Sequence, residues 1–362
     1  MRDSLLDLVC CPLCQAPLRV EATEWRDGQA WAGQVVGRCG HRYPIQDGMP
    51  RLYVEDESWA VKSAEARGWV QYHQQLGIYE PVPDAVDLQI PYHSAEPWPG
   101  IARSFDIALE TLQLTGQETI LDLGAGRGWA AKQFALHGCR VVALDIIPDL
   151  NIGLGRAYAL MGSAGVQFDL VIGDGERLPF KPGVFDVVFC SATLHHASDL
   201  TLLLRNIAYV LKSDGRLCAI YEPCISLLED EKAILIKDAA EELSLGIHET
   251  RPDFNQYMTA LAGAGLVVEC AFSPQTYTLP DTDLLAIAHG EGVMWDSRWA
   301  RLHQHYPYIK RFVAKRWAIW RQGQWSEIGR FRSADARTQA QFSLLQWTTG
   351  ELCLVARKPD SS

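Results

Sequence analysis

Three apolar runs in this chain each carry an acidic residue at or just beyond their C-terminal end, and glycines crowd behind the first. Thr119 to Leu123 contains Asp122 and leads straight into Gly124-Ala-Gly126. Arg140 to Asp145 is the second run, and Phe168 to Ile172, closed by Gly173-Asp-Gly-Glu176, is the third. Short apolar runs of this length read as buried parallel strands, and Arg127 to His137 has helical spacing. A glycine turn between strand and helix lets a ligand approach the backbone closely. The combination predicts a doubly wound α/β sheet with a nucleoside-shaped cleft at the carboxyl ends of its strands.

The residue at position 129 decides between nucleosides. A dinucleotide fingerprint places Gly or Ala three residues after its second glycine. Counted from Gly126 that position is Trp129, too bulky for close helix–strand packing. S-adenosyl-L-methionine has no pyrophosphate and so needs no bare helix N-terminus. It needs a carboxylate for its ammonium group, for which Asp122 is placed directly or through water. Asp145, about 20 residues past the glycines, is the expected partner of the ribose hydroxyls. Asp174 can accept from the adenine amino group, with Gly175 keeping the approach open.

Further strands are expected at Val184 to Cys190, Arg216 to Tyr221, Val267 to Phe272 and Leu352 to Lys358, with a helix at Leu200 to Leu211. Leu121 to Gly126, Asp145, Asp174 with Leu178-Pro-Phe180, Phe185 to Val188, Leu194-His-His196 and Leu211 to Gly215 occur in order. In these motifs residues 100–275 with 350–358 resemble a class I S-adenosylmethionine-dependent methyltransferase of the broad small-molecule subgroup. The resemblance implies a Rossmann-like seven-stranded methyltransferase sheet whose last strand is antiparallel. It also implies that Gly124 and Gly126 face the methionine moiety, that Ile146 packs on adenine, and that Ser191 borders the cofactor.

Cys10-Cys-Pro-Leu-Cys14 and Cys39-Gly-His41 have the spacing of a metal knuckle, in which thiolates two residues apart bite one tetrahedral ion. With Leu5 to Cys10 and Tyr43 to Arg51, residues 4–54 resemble the small zinc-binding activators of tRNA, rRNA and release-factor methyltransferases. That family's third Cys falls here at Val36. Cys11, Cys14 and Cys39 remain, with Cys10 or His41 as the fourth ligand. A bound zinc and a metal-free structural relic both stay open.

The expected organisation is a small N-terminal β-rich zinc-knuckle-like module at 1–54 and a connector covering the cleft at 55–100. The methyltransferase domain takes 101–280 and 350–358, and a helical basic and aromatic insertion takes 281–349. Ser58 to Leu76 reads as helical, whereas Pro81 to Pro99 is too Pro-dense for a helix or central strand. The insertion separates the last two strands by about 75 residues, too many for a structureless loop. Trp295 to Trp325 reads as helical, and ten Lys or Arg between Arg298 and Arg337 face only Glu327 and Asp335. In a chain of net charge −11 that local reversal suits an anionic acceptor, a membrane surface or an RNA backbone, or simply a snorkelling cationic face. The total charge disfavours a general nucleic-acid binder. Ten scattered cysteines and the absence of a secretory h-region point to the cytoplasm.

Methyl transfer from a sulfonium is an in-line displacement in which the enzyme positions the acceptor and removes its proton. His196 and, slightly less favoured, His195 stand just beyond the fourth strand, with Glu222 at the end of the fifth as a further candidate base. His248, Glu249 and Arg251 fall where acceptor loops sit. Ser191-Ala-Thr-Leu194 replaces the Asn/Asp-Pro-Pro-Tyr run of the adenine and glutamine-amide enzymes. O-methylation of a small molecule or of a glycan or lipid-linked precursor is therefore the expected activity. A tRNA wobble-uridine carboxylate methyltransferase shares the Leu-His-His stretch, which keeps RNA as a second acceptor class. A non-catalytic adenosylmethionine-binding protein is the third reading.

Overall fold

The computed structural model describes residues 1–79, 85–227, 229–288, 331 and 333–360. A four-stranded antiparallel meander comes first: β1 (Leu18–Arg26), β2 (Gln29–Gly37), β3 (Arg42–Gln46) and β4 (Met49–Pro50). The main sheet follows, from β5 (Thr119–Leu123), β6 (Arg140–Asp145), β7 (Asp169–Ile172), β8 (Phe185–Ser191), β9 (Leu211–Cys224), β10 (Val267–Phe272) and β11 (Gly350–Arg357). Its order is β10-β11-β9-β8-β5-β6-β7, with β5 to β9 parallel and β11 antiparallel to both neighbours. The expected seven strands and antiparallel closing strand are thus present.

Alternation along each strand splits the core into two layers. Ile120, Val141, Ala143, Val187 and Phe189 join one cluster, and Leu121, Val142, Leu144, Val188 and Cys190 join the other. Successive side chains point to opposite faces, so a strand buried on both sides must be apolar throughout. The first face is covered by Trp98–Leu112, Trp129–Leu136 and Ala157–Ala164 through Phe105, Phe134 and Met161. Covering the second are Leu200–Val210 and Phe254–Gly263, through Leu204, Ile207, Phe254 and Leu261. Asp253 and Gln256 form a reciprocal capping box that starts the second of these helices.

The N-terminal module shares the second layer, contributing Leu5, Val9, Val35 and Ile45. It also covers the outer edge of β7. Leu52 N–H donates to the Ile172 carbonyl at 2.8 Å, and Val9 bridges Phe180. Arg2 Nε reaches Asp169 Oδ1 at 2.9 Å. An open edge strand is a pairing hazard, and the module removes it.

Two expectations about the connector and one about β9 change. A helix does start in the Pro-rich segment, at Trp98, because Pro99 falls in its first turn where a missing N–H costs nothing. A short helix, Ala85–Gln89, precedes it. β9 starts at Leu211, ahead of the expected Arg216, and takes in Asp214 at φ 59°. In the insertion, Asp281–Ala288 and Ala336–Trp347 pack through Leu284, Ala340 and Leu344. Trp295 to Trp325, with Arg311 and Lys315, lies outside the described residues. No described helix is long and apolar enough to cross a membrane.

Candidate active site

A cleft of about 780 Å³ runs along the carboxyl ends of β5, β6, β7 and β8. Gly124, Gly126, Asp145, Ile146, Asp174, Gly175, His195 and His196 all line it, as the sequence suggests. Gly124 has φ +70°, and a Cβ added there would stand 2.4 Å from Thr193 Cγ2. The glycine is required twice over, by its backbone angle and by the loop pressed against it. Gly124 and Ala125 N–H both donate to the Leu144 carbonyl, at 2.9 and 3.1 Å, which ties the turn to β6.

Asp145 is held as a preset acceptor. Its Oδ2 accepts from Gly126 N–H at 2.7 Å and its Oδ1 from Ile147 N–H at 2.8 Å. Each oxygen keeps further acceptor capacity for a ligand hydroxyl. Burial pushes its pKa up, against the pull of those amides. Asp174 is likewise fixed, its Oδ1 accepting from Glu176 N–H at 2.9 Å. A pair of fixed carboxylates on neighbouring strand ends beside a bare glycine turn fits the ribose, adenine and methionine parts of S-adenosylmethionine.

Three site expectations need correction. Asp122 does not line the cleft: it is buried beneath the glycine turn, where its Oδ2 accepts from Ala131 N–H at 2.9 Å. Its contact is with the helix start, and burial pushes its pKa up to about 7. Ser191, the last residue of β8, also stays off the cleft wall, and Ala192 and Thr193 beyond it take the lining positions. Glu222 is fully buried and absent from the wall. Its Oε1 accepts from Thr193 and Leu194 N–H at 2.8 and 2.9 Å. Its Oε2 takes His195 N–H at 3.3 Å and lies 2.9 Å from His195 Nδ1. A carboxylate so engaged clamps the loop after β8 and has no route to an acceptor's proton.

The far end of the cleft is built from pieces distant in sequence. His196 Nδ1 donates to the His248 carbonyl at 2.6 Å, and Trp69 meets the same ring edge-on at 5.5 Å. Burial, then His195 beside it, holds the His196 pKa well below the usual imidazole range, so the ring is neutral at pH 7. Glu249 lines the same wall, ion-paired with Arg251. Lys62, Glu65, Trp69 and His73 come from the helix Glu57–Gln75, within the segment 55–100 expected to cover the cleft. Lys62 and Glu65 pair at i,i+3 on that helix, with Lys62 Nζ 3.4 Å from Glu65 Oε2. Burial raises the Glu65 pKa to about 7. Above the glycine turn, Asp87 bridges Arg127 and Arg156, which seats Ala85–Gln89 over the cleft.

In the N-terminal module Cys11, Cys14 and Cys39 each bring a sulfur within 4.8 Å of the others. Cys11 Sγ lies 3.5 Å from Cys39 Sγ, close to the ~3.8 Å of two thiolates on one tetrahedral zinc. His41 Nδ1 stands 3.1 Å from Cys39 Sγ. Burial works against a Cys11 thiolate, yet hydrogen bonds from Tyr43 and the backbone outweigh it and lower its pKa. Cys10 is outside this group: it is buried, with its N–H donating to the Pro179 carbonyl at 2.9 Å, and burial pushes its thiol up to about 11. The donor set is three thiols with His41 alongside, a combination that suits zinc.

With this geometry established, known proteins bear on the site. Residues 121–219 match the family described as a methyltransferase domain. The similarity is to a methyltransferase domain, over about a quarter of the chain. The match starts inside β5 and ends inside β9, so it contains the glycine turn, Asp145, Asp174 and both histidines. The ubiquinone biosynthesis O-methyltransferase of Xanthomonas euvesicatoria is 33% identical over 135 residues, 37% of this chain and 53% of that protein. The demethylmenaquinone methyltransferase of Mycolicibacterium gilvum is 32% identical over 143 residues, 35% of this chain and 59% of that protein. The chain thus spans little more than half the length of each. A solved geranyl diphosphate C-methyltransferase of Streptomyces coelicolor superposes with a TM-score of 0.48 at 17% identity, covering 82% of this chain and 98% of its own. The cleft lining from Gly124 to Asp174 falls within the matched segment, residues 121–219. Glu249 and the helix Glu57–Gln75, at the other end of the cleft, lie outside it.

Proposed function

We propose that the protein is an S-adenosylmethionine-dependent methyltransferase that methylates an oxygen of a small-molecule, glycan or lipid-linked precursor. The observation that carries this reading is one continuous cleft. Its glycine-turn end suits the cofactor, and its other end presents His195, His196 and Glu249. When bound, S-adenosylmethionine supplies an electrophilic methyl on a sulfonium. Asp145 holds the ribose hydroxyls, Ile146 packs on the adenine, and Asp174 with Gly175 borders its edge. Gly124 and Gly126 leave room for the methionine moiety. His195 and His196 activate the acceptor oxygen, and Trp69 supplies an aromatic wall beside them. The relative named as a ubiquinone biosynthesis O-methyltransferase supports an oxygen as the acceptor atom. The N-terminal module holds one zinc through Cys11, Cys14 and Cys39 with His41, as a structural support for the β7 edge.

Calorimetry with S-adenosylmethionine and its demethylated product, followed by turnover on a panel of hydroxylated aromatic and glycan acceptors, tests this reading. Asp145→Ala removes hydrogen bonds worth roughly 2–4 kcal/mol together, so cofactor affinity falls by about one and a half to three decades. His196→Ala loses roughly 10²–10⁴-fold in rate while keeping cofactor affinity. Unchanged affinity in folded Asp145→Ala protein would remove the cofactor from this cleft.

A further inference from the structure

Both histidines of the cleft wall sit on one 3₁₀ turn, Leu194–His196. The turn closes on itself through two hydrogen bonds, His196 N–H to the Thr193 carbonyl at 3.1 Å and Ala197 N–H to the Leu194 carbonyl at 3.2 Å. So short a helix has more orphan backbone groups than internal bonds, and each needs a partner from elsewhere. At the amino end Glu222 takes the N–H groups of Thr193, Leu194 and His195. The carbonyl end is held by two other side chains. Thr250 Oγ1 donates to the His195 carbonyl at 2.6 Å, and Lys62 Nζ donates to the His196 carbonyl at 3.4 Å. Lys62 lies 134 residues before His196, and Thr250 lies 55 residues after His195.

Both donors are themselves fixed. Lys62 is buried, with its Nζ 3.4 Å from Glu65 Oε2 and 3.8 Å from Glu176 Oε1. Glu176 Oε1 also accepts from Ser198 N–H, so one ammonium ties the helix Glu57–Gln75 to the turn and to the chain leaving it. A cation at the carbonyl end of a helical turn also complements the local dipole. Trp69, seven residues after Lys62 and on the same helix face, meets the His196 ring edge-on at 5.5 Å. Thr250 follows His248, whose carbonyl takes His196 Nδ1 at 2.6 Å. Residues 248–250 therefore grip the turn at its backbone and at the ring it carries.

We propose that Lys62 and Thr250 are positioning residues for methyl transfer, capping the carbonyl end of the histidine turn so that His196 keeps Nε2 for the acceptor. The inference rests on the reading of the cleft as a methyl-transfer site in which His196 activates the acceptor oxygen. Without the caps the two carbonyls turn toward water and carry the ring off its line. A misplacement of about 1 Å can cost about 10²-fold in rate.

Thr250→Val keeps the side chain's shape and removes its donor, Thr250→Ser restores the donor, and Lys62→Met removes the ammonium from a similar stem. In Thr250→Val and Lys62→Met the ¹⁵N shifts of the His196 ring should move from the Nδ1–H tautomer toward an average of the two tautomers. With catechol as the acceptor, S-adenosylhomocysteine formation in both should fall roughly 10- to 100-fold in kcat at an unchanged KM. Thr250→Ser should recover the ring shifts and the rate, and S-adenosylmethionine affinity by calorimetry should be the same in Thr250→Val as in wild type. Should Lys62→Met not fold, the two Thr250 variants decide. Folded Thr250→Val with wild-type ring shifts or wild-type kcat overturns the proposal, as does a loss that Thr250→Ser fails to restore. A wild-type protein that binds no S-adenosylmethionine overturns the reading of the cleft instead, because the ring shifts are read without cofactor.

Discussion

Replacing Glu222 by glutamine isolates the clamp behind the active-site loop, because it removes a charge and reverses one hydrogen-bonding end without changing size. In the wild type the two carboxylate oxygens take three backbone N–H groups and the His195 ring, all away from water. The substituted side chain can keep its carbonyl on Thr193 and Leu194 N–H. Its amide group then points a donor at His195 N–H, which loses its partner, and at Nδ1, which must become an acceptor. One buried N–H left unpaired costs about 1–3 kcal/mol, and losing charge assistance at two others adds about 1 kcal/mol. A destabilisation of about 2–4 kcal/mol follows for Glu222→Gln, and about 4–5 kcal/mol for Glu222→Ala, which abandons all four donors. Urea unfolding measures both, and the ¹⁵N shifts of the His195 ring report the tautomer. The proton moves from Nδ1 to Nε2 in Glu222→Gln, so the nitrogen facing Glu249 changes from acceptor to donor. Glu222→Gln protein within about 0.5 kcal/mol of wild type, with His195 still protonated on Nδ1, would refute the clamp.

Three further outcomes are expected. Gly124→Ala forces a side chain into φ +70° and against Thr193, so it should lose roughly 1–2 kcal/mol from the backbone alone, together with cofactor affinity; thermal melting and calorimetry read the two. Burial holds Asp122 protonated to about pH 7, whereas the unfolded chain ionises near about 3.9; its contribution is intact below about pH 4 and lost as pH rises through 7. Wild type should therefore lose about 2–3 kcal/mol more than Asp122→Asn between about pH 5 and 8, and parallel urea-derived pH profiles would contradict this. Purified protein should carry one zinc per chain, lost in Cys11→Ser with Cys14→Ser and retained in Cys10→Ser; elemental analysis finding no zinc in protein prepared without chelator rules the site out.

Much of the cofactor end is legible from the chain alone. Thr119–Leu123 and Arg140–Asp145 form as strands with the bounds their apolar runs suggest, and Gly124 and Asp145 occupy the positions that turn and strand-end logic assigns. These features are local. A glycine's φ, an apolar alternation and an acidic strand end depend on residues a few positions away, so sequence records them directly. Trp129 is informative for the same reason, as a bulky side chain where a dinucleotide turn needs a small one.

The partners of buried polar groups are a tertiary matter. Asp122, Ser191 and Glu222 all lie at or near strand ends, and spacing alone cannot say which side chain reaches the cleft and which is consumed beneath it. That depends on strand alternation and on loops arriving from elsewhere: Ala131 for Asp122, and Thr193 to His195, 27 to 29 residues away, for Glu222. The wall made by Lys62, Glu65 and Trp69 is set by how one helix packs across the sheet, and Glu249 joins His195 through a loop 54 residues on. A buried carboxylate takes whatever donors the packed fold leaves beside it. The sequence determined the sheet and the cofactor cleft, and only packing decided which acids face the ligand and which hold the loops that do.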